Sequence, residues 1–189
     1  MIHVSVQTSR GLASVRDVEP SDIEAFVRYW HFSGYDHLDF MGIDRQRLGT
    51  PDETRARFLG STRNGTPEQP NVTLSIALDG RLIGYTNLNR HGPDENHPHL
   101  HLVDASARAA GVASMLVPHV LRLYFDLYPI RRLVIQARTR NTPINRVLDK
   151  VLPVDETRHL DGPDGLAEPG EFHIRYLTRE QAAELALPG

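Results

Sequence analysis

The segment 106–114 has the composition of a turn that holds a phosphate. It consists almost entirely of small residues and carries one arginine, Arg108, between a strand-like run, 100–105, and a helix-like run, 112–127. The first amides of a helix have no partner within it, and the helix dipole adds partial positive charge there. Small residues let a phosphate approach those amides, and an arginine offers a forked donor beside them. The segment therefore predicts a pyrophosphate site.

Alternating histidines precede this segment and suggest acid–base chemistry. His97, His99 and His101 occupy alternate positions, and alternate side chains of a strand share one face. His99 and His101 are the best candidates for a general base, because an unperturbed histidine titrates near pH ~6.5. Asp104 is a weaker candidate at the end of the strand. Metal ligation and plain hydrogen-bonded strand histidines are the alternatives, but no further ligand set follows downstream.

The composition is that of a globular chain without cysteine. The 189 residues are 40% hydrophobic and 24% charged, with a formal net charge of −3, which suits one domain around one core. No basic run stands out, so we expect no nucleic-acid partner. Because there is no cysteine, the sequence excludes disulfides, thiolate metal sites and a cysteine nucleophile.

Two further absences in the sequence bear on where the protein works. No apolar stretch approaches the roughly 20 residues of a membrane-spanning helix. Residues 1–12 lack the basic and then apolar pattern of a secretory signal. We therefore expect a cytoplasmic protein without a membrane partner, with an N-terminal extension (1–12) before a single domain (13–189). The sequence leaves the oligomeric state open, with a homodimer as one option.

Hydrophobic periodicity and turn residues predict the elements that position these groups. Ser21 and Glu24 form a capping box, Thr50 is a helix cap, and Asp79 with Gly80 forms a hairpin turn. The predicted order is a strand (15–18), a helix from 21, a turn over 35–41, a helix (51–59), a loop (63–70), strands (72–78 and 82–88), a loop (91–98), a strand (99–103), a helix (112–127), a strand (133–137), a helix from 143, and two strands, the last over 172–176.

This order predicts an α/β protein of the mixed α+β kind, with a mostly antiparallel central sheet and helices on both faces. It also resembles the GNAT family of N-acetyltransferases over nearly the whole chain. The resemblance is carried by the motif Arg108-Ala109-Ala110-Gly111-Val112-Ala113 between a strand and its helix, by Asn141 after the next strand, and by the hairpin at Asp79. It implies a GNAT-like acyl-CoA N-acyltransferase fold, with acetyl-CoA as co-substrate.

The resemblance also implies which residues meet the co-substrate. The pyrophosphate would lie on the turn, and the pantetheine would pair with the backbone near Leu102 and Val103 and contact Asn141. The implied donor site is Leu102, Val103, Arg108, Ala109, Ala110, Gly111, Val112, Ala113, Ser114 and Asn141. Many members carry a tyrosine acid where this chain has Leu148.

The implied reaction is direct acetyl transfer to a primary amine, on a small molecule or a protein N-terminus, in a ternary complex. His101 and His99 would act as base, and Glu171 and His173 are further residues that would face the acceptor. The turn after the first helix mixes aromatic and acidic groups that suit a cationic amine, namely Tyr35, Asp36, Asp39 and Phe40, together with His37 and Met41. The alternatives are an acyl-CoA-binding module without turnover and a histidine-rich metal protein; we expect no metal.

Overall fold

The computed structural model describes residues 1–62, 64–66, 69–108 and 111–188, with side chains described throughout except at Tyr35, Asp36, 64–66, 69–70 and Asp164. In this part of the chain the strands are β1 (Ile2–Thr8), β2 (Gly11–Asp17), β3 (Asn64–Thr66), β4 (Gln69–Leu78), β5 (Arg81–Arg90), β6 (Glu95–Leu102), β7 (Arg132–Arg138), β8 (Glu156–Leu160) and β9 (Gly170–Thr178). The helices are α1 (Pro20–Phe32), α2 (Tyr35–Met41), α3 (Pro51–Ser61), α4 (Val112–Leu127), α5 (Thr142–Leu148) and α6 (Arg179–Glu184).

A mixed sheet lies between helices on both of its faces. Its order is β1-β2-β4-β5-β6-β7-β9-β8, with β3 paired to β4 at the side. Neighbouring residues of β5 show the two faces: the Thr86 and Tyr124 hydroxyls are 2.8 Å apart on the α4 side. On the α1 side the Trp30 indole donates to the Tyr85 hydroxyl over 2.9 Å. The predicted class, a mostly antiparallel sheet with helices on both faces, is confirmed.

The parallel neighbours β6 and β7 pair at their beginnings and then separate. In the described residues their register joins Glu95 to Arg132 and Asn96 to Leu133. Beyond these two pairs, the Gln136 backbone amide of β7 donates to the His97 ring of β6 over 3.4 Å. Pro98 follows and has no N–H to donate. The C-terminal parts of the two strands therefore form the sides of an open cleft.

Several predicted element bounds were wrong, each for a local reason. Residues 35–41 form the helix α2 instead of a turn, because Gly42 ends it in the left-handed region with φ 74 and donates to the carbonyls of Leu38 and Asp39. The loop predicted over 91–98 is shorter, because the amides of His91 and Gly92 both donate to the Glu95 carbonyl and let β6 begin there.

The start of α1 also differs from the prediction. Its N-cap is Glu19, which shares a capping box with Asp22, whereas Ser21 and Glu24 were expected. Asp22 takes this role because its carboxylate is also held from β2 and β4 by Arg16 and Ser75. Within residues 1–12 the chain forms β1, which the periodicity did not reveal; the division into an extension and a single domain stays a prediction.

Gly84 allows β5 and β6 to approach closely at the site. A Cβ atom there would lie 2.2 Å from the His101 carbonyl oxygen and 3.1 Å from Leu102 Cα, both backbone atoms. We expect Gly84→Ala to lower the free energy of unfolding by about 1–3 kcal/mol, as overpacking does. Urea unfolding checks this against Gly92→Ala, whose Cβ would meet Glu95 at an ordinary 3.8 Å. Equal midpoints for the two variants would contradict the close approach.

Candidate active site

A cavity of about 490 Å³ lies at the cleft between β6 and β7. His99 and His101 from β6 and Gln136 and Arg138 from β7 line it. Apolar side chains of α4 and α5 close it on one face of the sheet, and α1, α2 and α3 contribute to it on the other. From the helices the lining residues include Trp30, Met41, Phe58, Val117, Leu121, Ile144 and Leu148. The cleft therefore reaches from one face of the sheet to the other.

Helix α4 begins at Val112, shortly after the end of β6 at Leu102. Gly111 is the N-cap and lies in the left-handed region with φ 77, which glycine adopts without strain. The first described amide to donate within the helix is that of Met115, to the Gly111 carbonyl. The amides of Val112, Ala113 and Ser114 precede it, as expected for an anion site. Ala109 and Ala110, predicted for the same site, lie outside the described residues.

Arg108 lies against the strand that leads to this turn. Its Nε donates to the Leu102 carbonyl over 2.9 Å and its Nη2 to the Val103 carbonyl over 3.4 Å. The guanidinium also lies 5.8 Å from the centre of the Tyr29 ring. The structure thus brings Arg108, Leu102 and Val103 together at the end of β6, with the arginine on the carbonyls. Its contact with a phosphate stays a prediction.

His101 is embedded among aromatic rings at the wall of the cavity. Its ring stacks on Tyr85 at 4.9 Å and meets Trp30 edge-on at 5.2 Å, and its Nδ1 lies 3.3 Å from the Tyr29 hydroxyl. Burial, together with the nearby His37 and Arg108, lowers the pKa of His101 from 6.5 to about 3. The imidazole is therefore neutral at physiological pH, with a lone pair on one ring nitrogen, and it is a weaker base than a solvent-exposed imidazole.

This low pKa has a consequence for acid stability. Between pH 6.5 and about 3, His101 is protonated in the unfolded chain and neutral in the folded chain. The free energy of unfolding therefore falls as pH falls through that window, by about 1.4 kcal/mol per pH unit for one proton. We expect the difference in unfolding free energy between the wild type and His101→Gln to shrink at that rate below pH ~6, measured by urea unfolding. Parallel pH profiles would contradict it.

The other candidate bases lie in different surroundings. His99 lines the cavity and stacks on His97 at 4.1 Å. Hydrogen bonds from Ser106 and Arg81 lower the pKa of Asp104 to about 2, so this carboxylate is ionised and holds the turn. Glu171 and His173 do not line the cavity, and the His173 ring contacts Thr157 of β8 at 2.7 Å.

Asn141 follows β7 and begins α5 beside the cavity. It is the N-cap of that helix, but its side chain makes no capping hydrogen bond, and the residue lines the cavity. Asn145 holds the turn by donating to the carbonyls of Arg138 and Asn141 over 2.8 and 3.0 Å. Leu148 is buried and also lines the cavity. Asn141 thus lies at the cavity, and its contact with a pantetheine stays a prediction.

The predicted acceptor residues are only partly at the cavity. Asp39 pairs with Arg45 over 3.2 Å with 65% of its side chain exposed, Phe40 is 43% exposed, and neither lines the cavity. From the same helix, Met41 does line it. The side chains of Tyr35 and Asp36 lie outside the described residues. Contact of these groups with an acceptor stays a prediction.

Polar residues of the sheet were missed by the sequence reasoning. On the α1 face the cavity is lined by amides and hydroxyls of β4 and β5, namely Asn71, Thr73, Asn87 and Asn89. Asn87 and Asn89 oppose His99 and His97 in the register of β5 and β6. In β5 these asparagines alternate with the buried Thr86 and Leu88. This alternation was the signal available in the sequence, because it places the asparagines together on one polar face of the strand.

The described residues hold no group of three or more histidine, aspartate and glutamate side chains arranged to bind a metal ion. No helix in the same part of the chain is both long and apolar enough to cross a membrane.

The cleft, the start of α4 beside it and the sheet order define a class of protein. Residues 14–151 match the family model of the acetyltransferase (GNAT) domain. Because this match covers well over half of the chain, the chain belongs to the GNAT family of acetyltransferases. The resemblance seen in the sequence is thereby confirmed.

Solved structures with the same fold have low sequence identity to this chain. RimJ from Mycobacterium smegmatis, in complex with a CoA disulfide, has a TM-score of 0.70 at 18% identity, over 97% of this chain and 91% of that one. The ribosomal-protein-S5-alanine acetyltransferase of Vibrio fischeri has 0.67 at 15% identity, over 94% and 97%.

A third similar structure is an aminoglycoside acetyltransferase, AAC(6')-Ib, in complex with coenzyme A, with a TM-score of 0.66 at 16% identity, over 91% and 98% of the two chains. The CoA bound by RimJ and by AAC(6')-Ib is consistent with acetyl-CoA as the co-substrate predicted from the sequence. No curated protein matches this chain in sequence.

Proposed function

We propose that this protein transfers the acetyl group of acetyl-CoA to a primary amine, directly and in a ternary complex. The single observation that carries the proposal is the separation of β6 from β7 after two residue pairs. It leaves backbone groups of both strands for the pantetheine arm, beside the amides at the start of α4. The family membership assigns the chemistry, and the open cleft offers the donor a path to the histidines.

The acceptor would enter from the α1 face of the sheet. There His99, His101, Asn87 and Gln136 line the cavity and can bind a polar molecule through hydrogen bonds. The amine nitrogen would attack the thioester carbonyl carbon, the C–S bond would break, and the CoA thiolate would leave. His101 would take the proton from nitrogen once the C–N bond forms, when that nitrogen becomes strongly acidic. The low pKa of His101 is compatible with a proton transfer at this stage.

Direct transfer is favoured by the composition. A route through an acetylated cysteine is excluded, since the chain has no cysteine. Much of the rate would come from holding the amine and the thioester together in the cavity. The acceptors of the structural neighbours include a ribosomal protein and aminoglycosides by their names, so both peptide N-termini and amino sugars belong in the first acceptor screen.

Calorimetric titration with acetyl-CoA, followed by thiol release across an amine panel, tests this function. The panel contains tetrapeptides that begin with alanine or serine, kanamycin, and simple alkylamines. We expect binding and acceptor-dependent thiol release. No binding at millimolar acetyl-CoA contradicts the proposal, and binding without thiol release for any amine favours an acyl-CoA-binding module. Stoichiometric metal in protein purified without a histidine tag would favour the metal alternative.

A further inference from the structure

A chain of three polar groups leads from the cavity towards the surface between α1 and α2. The Nδ1 atom of His101 lies 3.3 Å from the Tyr29 hydroxyl, and the same hydroxyl lies 3.1 Å from Nε2 of His37. Tyr29 is 3% exposed and does not line the cavity, whereas His101 does. His37 is partly exposed. The tyrosine thus bridges a histidine at the site and a histidine near solvent.

We propose that Tyr29 and His37 form a proton relay that carries the proton of the acceptor amine from His101 to solvent. The proposal rests on the proposed function, and it assigns roles to two residues that do not line the cavity. Because Nδ1 of His101 faces Tyr29, Nε2 is the ring atom available to the amine. The phenol can accept from one ring and donate to the other at the same time.

In each transfer one proton enters the relay at His101 and one proton leaves it at His37. The amine nitrogen gives a proton to Nε2 of His101, while Nδ1–H of His101 passes to the Tyr29 oxygen. The Tyr29 proton moves to Nε2 of His37, which becomes an imidazolium and releases its Nδ1 proton to water. Tyr29 ends as a neutral phenol. The rings return to their starting tautomers by exchange with water before the next turnover.

The surroundings favour an outward direction. Burial lowers the pKa of both histidines, and Arg108 adds to this lowering in each. The pKa of His101 falls to about 3, and this ring is the more enclosed of the two. Burial raises the pKa of the Tyr29 phenol, so that the tyrosine passes a proton without becoming an anion. A positive charge is therefore less costly at His37 than at His101.

The groups that face the relay come from several elements. Among the described residues, the charged group is Arg108, whose guanidinium carbon lies 5.8 Å from the centre of the Tyr29 ring. Tyr85 stacks on His101 at 4.9 Å, and His99 follows at 6.2 Å. The Tyr29 hydroxyl also lies 3.3 Å from the Met41 sulfur, which is a weak acceptor and a poor competitor for its proton.

Histidine tautomers test the relay without any acceptor. The relay requires both His101 and His37 to carry their proton on Nδ1 in the resting protein, so that each presents a bare Nε2. Ring nitrogen shifts of 15N-histidine-labelled protein report the tautomer directly. Spectra of His101→Gln and His37→Gln assign the two rings. The Nε2–H tautomer at either ring would overturn the relay, because protons could not then move outward along it.

Kinetics test whether the relay works in turnover. With the best amine of the panel, we expect Tyr29→Phe and His37→Gln to lower kcat about tenfold or more and to leave KM for acetyl-CoA unchanged. The acid limb of the pH profile of kcat should shift in His37→Gln, and added imidazole should restore the kcat of this variant. Tyr124→Phe and His119→Gln are the controls, since they remove a buried phenol and a partly buried imidazole on α4 outside the relay.

The results separate the relay from the function on which it rests. If the wild type turns over and both relay variants keep its kcat and pH profile, the relay is wrong and the proposed function stands. If the wild type releases no thiol with any amine, the proposed function fails. A role of Tyr29 in folding alone would lower stability in Tyr29→Phe as in Tyr124→Phe, with the pH profile unchanged.

Discussion

Replacing His101 with glutamine lowers kcat by about two to four orders of magnitude, the range measured for a lost general base. Glutamine preserves much of the volume among Tyr29, Trp30 and Tyr85 but cannot carry the amine's proton. The affinity for acetyl-CoA should stay within about twofold of the wild-type value, because a base that acts only in the transition state does not contribute to binding of the donor. Thiol release and calorimetry on the same preparations measure the two quantities.

The control for this substitution is His119→Gln on α4. His119 contacts the Pro188 carbonyl at 2.9 Å and does not line the cavity, and its variant should keep the wild-type kcat. His99→Gln distinguishes the roles of the two cavity histidines. We expect a smaller loss of kcat in this variant than in His101→Gln, because His99 is not part of the relay. A His101→Gln enzyme that retains the wild-type rate across the pH range would refute the base, and positioning by the cleft would then explain the catalysis.

Removing the Asp22 carboxylate has the largest expected effect on stability. Asp22 is 4% exposed and accepts from both terminal nitrogens of Arg16, over 2.7 and 3.0 Å. It also accepts from the Ser75 hydroxyl over 2.6 Å and from the Glu19 amide over 2.9 Å. We expect Asp22→Ala to cost about 3–5 kcal/mol, because it leaves the Arg16 guanidinium partly buried without its main partner. Urea unfolding measures the cost.

The same carboxylate predicts a pH dependence at the acid end. Burial alone would raise the pKa of Asp22, but hydrogen bonds from Arg16 and Ser75 outweigh it and lower the pKa below 3.8. The stabilisation is therefore present above pH 3.8 and is lost as pH falls through the lower folded-state pKa. Asp22→Asn should lack this dependence. As a control, Asp52→Asn, with a side chain 91% exposed, should leave the unfolding midpoint nearly unchanged.

The parts of the fold that sequence predicted well are those in which local signals and packing agree. Helix α4 begins and ends where its apolar periodicity does, because the left-handed Gly111 precedes it and the same periodicity fills the core with Leu116 and Leu123. The hairpin at Asp79 and Gly80 was equally readable, since both residues adopt positive φ. Thr50 caps α3 as expected.

The parts that sequence did not predict depend on partners distant in the chain. Glu19 and Asp22 form the capping box that was expected of Ser21 and Glu24, because Arg16 of β2 and Ser75 of β4 hold the Asp22 carboxylate. The small-residue motif over 106–114 was visible in the sequence because it is contiguous, whereas the α1 face of the cavity is assembled from β4, β5, β6 and β7. Asn87 comes to lie opposite His99 only through strand pairing, and Gln136 reaches the same cavity from β7. The meeting of Tyr29, His37 and His101 has no trace in their spacing.

A crystal structure of the protein with CoA tests the central claim most directly. The account predicts the pyrophosphate within about 3 Å of the amides of Val112, Ala113 or Ser114, the pantetheine arm between β6 and β7, and the thiol in the cavity beside His101. CoA bound away from this cleft, with β6 and β7 unoccupied, would contradict the account.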